Sequence, residues 1–165
     1  MNYRKVNNLT GWIIGAIAAI VYLKTMEPTT SFWDCGEFLS CAYKLEVGHS
    51  PGAPFFMLLQ RIFALFAGGE ALTGGPAPNA SFMINSLSAL ASAFSILFLF
   101  WTITHFAKRL LATEGEPDMS QTVAIMGAGV VGALACTFSD TFWFSAVEAE
   151  VYATSSLFTA FTFWA

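Results

Sequence analysis

The sequence predicts an all-α fold: a polytopic bundle of transmembrane helices with short amphipathic helices at one membrane surface. Three observations carry this expectation. Of 165 residues, 56% belong to the set AVILMFWYC and only 11% are charged, against roughly 25% charged in an ordinary globular domain. Mean hydropathy is +0.61. The apolar residues gather into three long runs and the beginning of a fourth. Seventeen Phe and five Trp stand beside only seven Lys and Arg, more apolar surface than one small core hides. Disorder, nucleic-acid binding and an ordinary cytosolic enzyme are excluded on composition.

The first run, Leu9–Met26, has the length a bilayer requires, and Arg4 and Lys5 precede it. A signal peptide shares the basic start, but no small-residue cleavage pattern follows, which favours a retained span (about 9–26). The next apolar stretch, Pro54–Ala67, reaches only ~21 Å against a hydrocarbon core of ~30 Å. It carries Gln60 and Arg61 at its middle and is expected to be interfacial or re-entrant. Phe82–Phe106 is the second span, followed by Lys108 and Arg109. The third covers about 123–138 after a polar stretch, Thr113–Gln121, and a fourth begins near Val151. No internal repeat is visible, and Gly68–Asn79 is a loop within a single membrane module. The last residues, Ser155–Ala165, end with no cap and no closing charge, so the chain is expected to be the N-terminal piece of a longer protein.

Topology follows from the cations. Arg4 and Lys5 place the N-terminus in the cytoplasm, and Lys108 and Arg109 return there if Pro54–Ala67 does not cross. All acids except Glu114, Glu116 and Asp118 then face the extracytoplasmic side. They lie in the loop 27–80 and in the short connection Ser139–Glu150.

Two motifs have plain explanations. Gly127, Gly129 and Gly132 spell GxGxxG, but they sit inside an apolar run with no strand before them. Small residues at four-residue spacing there let helices pack closely. Cys35, Cys41 and Cys136 show no metal-ligand spacing, and Cys35 and Cys41 on one helix would lie ~9 Å apart along its axis. They are expected to be buried thiols.

The informative stretch is 30–54. Ser31 is a candidate N-cap for a helix over about 31–47, on which Asp34, Glu37, Cys41 and Lys44 share a stripe. The aromatic pair Phe32-Trp33 suits the membrane interface. A turn, Gly48-His49-Ser50-Pro51-Gly52-Ala53-Pro54, follows. A second acidic group, Asp140, Glu148 and Glu150, lies where the third span ends and the fourth begins. Acids at lipid level in an aromatic setting are costly enough to suggest a site.

The segments SFWDCGEF, AYKLEVGHSPGAP, FMLLQRIFALFAG and NSLSALASAFSILFLFWTITHFAKR resemble one multi-pass membrane family. It is glycosyltransferase family 117, formerly a domain of unknown function, whose animal relatives are protein O-mannosyltransferases. The resemblance runs from about residue 10 to residue 155, with Ser50 where the family pattern has a second Pro. Its order of parts resembles the GT-C superfamily, so a GT-C-like N-terminal module is expected. The resemblance implies an inverting transferase in a bacterial inner membrane, or the endoplasmic reticulum membrane in a eukaryote. It would move a mannose-like sugar from a polyprenyl-phosphate carrier to Ser or Thr hydroxyls of exported proteins. Asp34 matches the loop acid that serves as base, and Glu37, one turn on, would orient the acceptor or tune Asp34. His49 and Arg61 are candidates for the carrier phosphate, and Asp140, Glu148 and Glu150 for the opposite wall. No cofactor is expected beyond the lipid-phosphate donor, no metal cluster is declared, and a divalent metal is left open. The rival class is a transporter or flippase of a lipid-linked sugar, which a charged cleft would also serve.

Overall fold

In a computed structural model, residues 2–50, 52–112 and 115–165 are described, and among them lie seven α-helices and no strand. Pro51 of the turn and Thr113 of the polar stretch lie outside the described residues. Helix α1 (Tyr3–Thr25) starts on Asn2, whose side chain accepts the Lys5 N–H at 3.2 Å. Its buried residues, Gly11, Ile14, Gly15, Ala18 and Tyr22, form one stripe. Leu9, Trp12, Ile13, Ile17 and Ile20 are exposed on the other side. Such a surface is unfavourable in water and suited to lipid.

Helix α4 (Ala80–Leu111) is the central element, packed against α1, against α5 (Met119–Thr137) and against α7 (Val151–Trp164). Close approach to α1 depends on small residues. A β-carbon on Gly15 would lie 3.3 Å from Leu97 Cβ, and one on Gly11 would strike the Trp101 indole. The core between α1, α4 and α5 is built from Ile14, Ala18, Tyr22, Ala89, Ile96, Phe100 and Ile125. Helices α1, α4 and α5 are long and apolar enough to cross a membrane; α7 is 14 residues long.

Several bounds differ from the sequence expectation. The third span starts at Met119 rather than near 123, because Asp118 and Gln121 form a reciprocal capping box over bonds of 2.8 and 3.0 Å. The surface helix expected over 31–47 is α2, Cys35–Lys44. Trp33, at φ 59°, breaks the chain before it, so Asp34 and not Ser31 takes the N-cap position. Leu45 in the left-handed region ends it, its N–H bonding Cys41 O. Cys41 leaves the polar stripe and is buried, since a thiol packs as a small apolar group. Helix α3 (Pro54–Ala64) has Pro at its first turn and runs on into a 3₁₀ turn, Leu65–Ala67. It presents Phe55, Leu58, Ile62 and Phe66 outward while burying Phe56, Met57, Gln60 and Ala64.

A short helix the sequence reading did not contain, α6 (Asp140–Val147), links α5 to α7. Three contacts hold it beside the end of α1. Trp143 Nε1 donates to Thr25 Oγ1 at 3.0 Å, the Glu27 N–H donates to Val147 O at 2.8 Å, and the rings of Phe142 and Tyr22 lie 6.3 Å apart. Tyr22 in turn donates to Thr137 O at 3.0 Å, joining α1 to the end of α5.

The GxGxxG glycines separate cleanly. A β-carbon on Gly129 would sit 2.6 Å from Thr104 Cγ2 and 2.8 Å from Phe100 Cε2, whereas one on Gly127 meets nothing within 4 Å. Gly129→Ala is therefore expected to destabilise by ~1–3 kcal/mol through overpacking, and Gly127→Ala to cost nothing. Thermal unfolding of both variants in detergent checks this; equal stability would show that the glycines are not packing residues.

Candidate active site

The segment leaving α1 is pinned before it reaches α2. Asn85, fully buried in the first turns of α4, donates from Nδ2 to Glu27 O at 2.7 Å and to Thr29 O at 3.0 Å. Helix α2 then buries Cys35, Phe38, Leu39, Cys41 and Ala42 against α3 and the start of α4, with the Phe38 and Phe56 rings edge to face at 5.3 Å. This turns its polar side outward.

On that side Glu37 and His49 form a two-point contact. Glu37 Oε2 lies 2.8 Å from His49 Nδ1, and Glu37 Oε1 accepts the His49 backbone N–H. The preceding residue sits close against the pair: a β-carbon on Gly48 would lie 3.1 Å from Glu37 Oε1 and press on that carboxylate. Gly52 at φ 74° completes the turn. The His49 backbone donor, followed by its ring, holds the Glu37 carboxyl below its ordinary range. The same ring contact, aided by the carboxylate charge, raises the His49 imidazole above its own. Both side chains are partly solvated, at 36% and 55% exposure, so the pair fixes geometry more than it stabilises the fold.

Asp34, Glu37 and His49 line one cleft of about 220 Å³ together with Gly48, Met57 and Tyr152. The Asp34 carboxylate makes no capping hydrogen bond and is exposed. Tyr152, in the first turn of α7, was not among the residues singled out from sequence; only the approach of α7 to α2 reveals it.

The second acidic group divides. Ala149 is buried beside Cys35, which carries Glu148 and Glu150 to the N-terminal end of α2. Burial, the Glu148 charge and the Asp34 charge raise the Glu150 carboxyl to about 7. Burial, opposed by backbone contacts at Ser31 and Ala149, also raises the Cys35 thiol. Glu150 therefore comes within electrostatic reach of Asp34, with Glu148 beside it. Asp140 does not: it opens α6 and is exposed, ~10 Å along the helix from Val147.

Arg61 is likewise not at the cleft. Its Nη1 donates to Tyr43 O at 2.6 Å and its Nη2 to Ala71 O at 2.9 Å, and the guanidinium lies 5.6 Å from the Tyr43 ring centre. Tyr43 OH bonds Gly75 O. Through these bonds Arg61 acts as a clip that joins α2, α3 and the loop 68–79, away from the cleft that holds Glu37 and His49. Among the described residues no group of three or more His, Cys, Asp or Glu side chains is placed to hold a metal ion.

A family model described as "Protein O-mannosyl-transferase TMEM260 N-terminal domain" matches residues 34–165, starting at the Asp34 that enters the cleft. The chain belongs to this family. A Dictyostelium discoideum protein named "Protein O-mannosyl-transferase tmem260" is 28% identical over 142 residues, covering 86% of the chain and 14% of the relative. A Mus musculus protein named "Protein O-mannosyl-transferase TMEM260" is 27% identical over 143 residues, covering 87% and 17%. The chain thus spans about a sixth of the length of these TMEM260 relatives or less. No solved structure matches it.

The Glu37–His49 contact makes a directional pH prediction. Its full strength lies between the lowered Glu37 value and the raised His49 value; it is lost as Glu37 protonates on acidification and as His49 deprotonates on alkalinisation. In Glu37→Gln the His49 ring is expected to titrate at lower pH than in the wild type, measured by NMR of the imidazole protons. An unshifted titration would mean that the pair does not form in solution.

Proposed function

We propose that the full-length protein is an inverting GT-C-type membrane glycosyltransferase that moves a mannose-like sugar from a polyprenyl phosphate to Ser or Thr hydroxyls of exported proteins. The observation that carries this is the convergence of Asp34, Glu37 and His49, drawn from two separated segments, on one cleft beside the end of a membrane span. The names of the relatives support protein O-mannosylation as the activity.

The chemistry assigns a role to each group. The acceptor hydroxyl oxygen attacks the anomeric carbon, its proton passes to a carboxylate, and the bond from that carbon to the phosphate oxygen breaks. The carrier leaves as a phosphate monoester. Asp34, exposed at the cleft and uncommitted to helix capping, is the base. Glu37 holds His49, whose Nδ1 is engaged, so Nε2 faces the departing phosphate as a charge-assisted donor. This module alone is proposed to be inactive without the rest of the protein.

Glu150 supports a second assignment of the base, because a half-buried carboxyl with a value near 7 is matched to proton transfer at neutral pH. The two assignments differ in mutant kinetics. With Asp34 as base, Asp34→Asn is expected to lower transfer by ~10²–10⁴-fold while donor binding persists, and Glu150→Gln to be milder. With Glu150 as base the order reverses, and Glu150→Gln also abolishes a rise in rate through pH about 7. Purified full-length protein with lipid-linked donor and acceptor peptide gives both numbers. Normal transfer by both variants would overturn both assignments of the base, and donor translocated without release of polyprenyl phosphate would favour the transporter.

The N-terminus is proposed to be cytoplasmic and the cleft extracytoplasmic, on the placement of Arg4, Lys5, Lys108 and Arg109. Cysteines introduced at Leu72, which is 79% exposed, and at Glu116 are expected to label from opposite sides. Labelling of both from one side would reverse the assignment.

A further inference from the structure

At the other end of the bundle a second cavity, of about 710 Å³, opens between the start of α1 and the ends of α4 and α7. Its lining reaches from Tyr3 to Trp12 on α1, and Tyr3 lies ~33 Å along the helix from Thr25 at the Glu27 end, about one hydrocarbon thickness. Its wall is aromatic. Trp12 and Trp101 meet edge to face at 5.9 Å, Trp101 and Trp164 lie 5.6 Å apart, and Phe98 and Trp164 lie 5.0 Å apart. Its charged lining is two cations, Arg4 and Lys108, against the single carboxylate of Glu116, with the His105 ring beside them. The Lys108–Glu116 pair is loose at 3.5 Å, with Glu116 78% exposed, so water largely screens it. Lys108 also sits 4.8 Å from the Tyr3 ring centre. Asn7, on the same lining, has an amide oxygen that is buried and unpartnered.

We propose that this cavity binds the head group of an anionic phospholipid from the leaflet at that end, with the upper acyl chain along the tryptophan wall. The proposal does not rest on the transferase assignment. Cations above an indole belt match the depth profile of a phospholipid, charge outermost and apolar carbon beneath. Trp12, 55% exposed, continues the wall onto the outer apolar surface of α1, where Leu9 and Ile13 are also exposed. An amphiphile uses both halves of such a site, whereas a free phosphate uses only the cations. Basic pockets between transmembrane helices are a recurrent form of head-group recognition.

Native mass spectrometry of the delipidated full-length protein tests this, with phosphatidylglycerol, phosphatidylcholine and inorganic phosphate as separate probes. The wild type is expected to retain phosphatidylglycerol over phosphatidylcholine. Arg4→Gln/Lys108→Gln is expected to lose roughly thirtyfold in phosphatidylglycerol affinity, from two removed charges. Lys24→Gln, at the far end of α1, is expected to leave it unchanged, and Arg4→Lys/Lys108→Arg to retain most of it, which separates loss of charge from loss of fold. Equal retention of the two lipids, displacement of phosphatidylglycerol by inorganic phosphate, or unaltered binding in the double Gln variant would each overturn the proposal.

Discussion

The peptide groups of Glu27 are the hinge on which the candidate site hangs. The carbonyl of Glu27 accepts from the buried amide of Asn85, and its N–H donates to Val147 O. One residue thereby ties the end of the first span to the top of α4 and to the last turn of α6. The chain must then leave toward α2 on one side, while Glu148, Ala149 and Glu150 follow on the other. A buried amide with no partner costs more than the bond itself gains. Replacing Asn85 by an apolar residue would remove both side-chain bonds that hold the segment leaving α1 against α4.

The spans were legible because composition and run length are strong signals in lipid: a bilayer accepts backbone only as helices with every peptide bond paired. The Asp34, Glu37 and His49 trio was legible through motif and turn chemistry. Other features were not. The ends of α2 are set by left-handed backbone at Trp33 and Leu45, residue types with no intrinsic preference for it. Helix α6 is eight residues long, too short to stand alone or to show a period, and exists because Trp143 and Val147 find partners on the end of α1 and beyond. Arg61 carried a charge that suggested phosphate, but its partners are backbone carbonyls from segments far apart in sequence, which a linear reading does not see. Asn85 stands among Ser86 and Ser88 in an otherwise apolar run, and its role depends on the carbonyls of Glu27 and Thr29 that it meets.

The two ends of the bundle have opposite electrostatic character. At the cleft end, burial and the neighbouring charges of Glu148 and Asp34 push the Glu150 carboxyl up to about 7. The Glu37 contact, and after it the Asp34 charge, raise the His49 imidazole at this end. At the other end Arg4 and Lys108 face a single exposed carboxylate. The proposed carboxylate site and the proposed anion site thus lie toward opposite ends of the bundle, and α7 contributes Tyr152 to one and Trp164 to the other.

The lengths of the three long helices differ more than one bilayer allows. Helix α4, with 32 residues, extends ~48 Å, α1 with 23 residues ~35 Å, and α5 with 19 residues ~28 Å. A hydrocarbon layer of ~30 Å matches α5 nearly upright, while α4 must lean or project. Thickness sensitivity is thus unevenly distributed. A thicker, sterol-rich membrane strands the ends of α5 first, and α5 answers by drawing the bilayer inward around itself. The same thickening merely straightens α4, whose first turns carry the Asn85 anchor. By length, α4 has the most reserve to span a thicker bilayer and α5 the least.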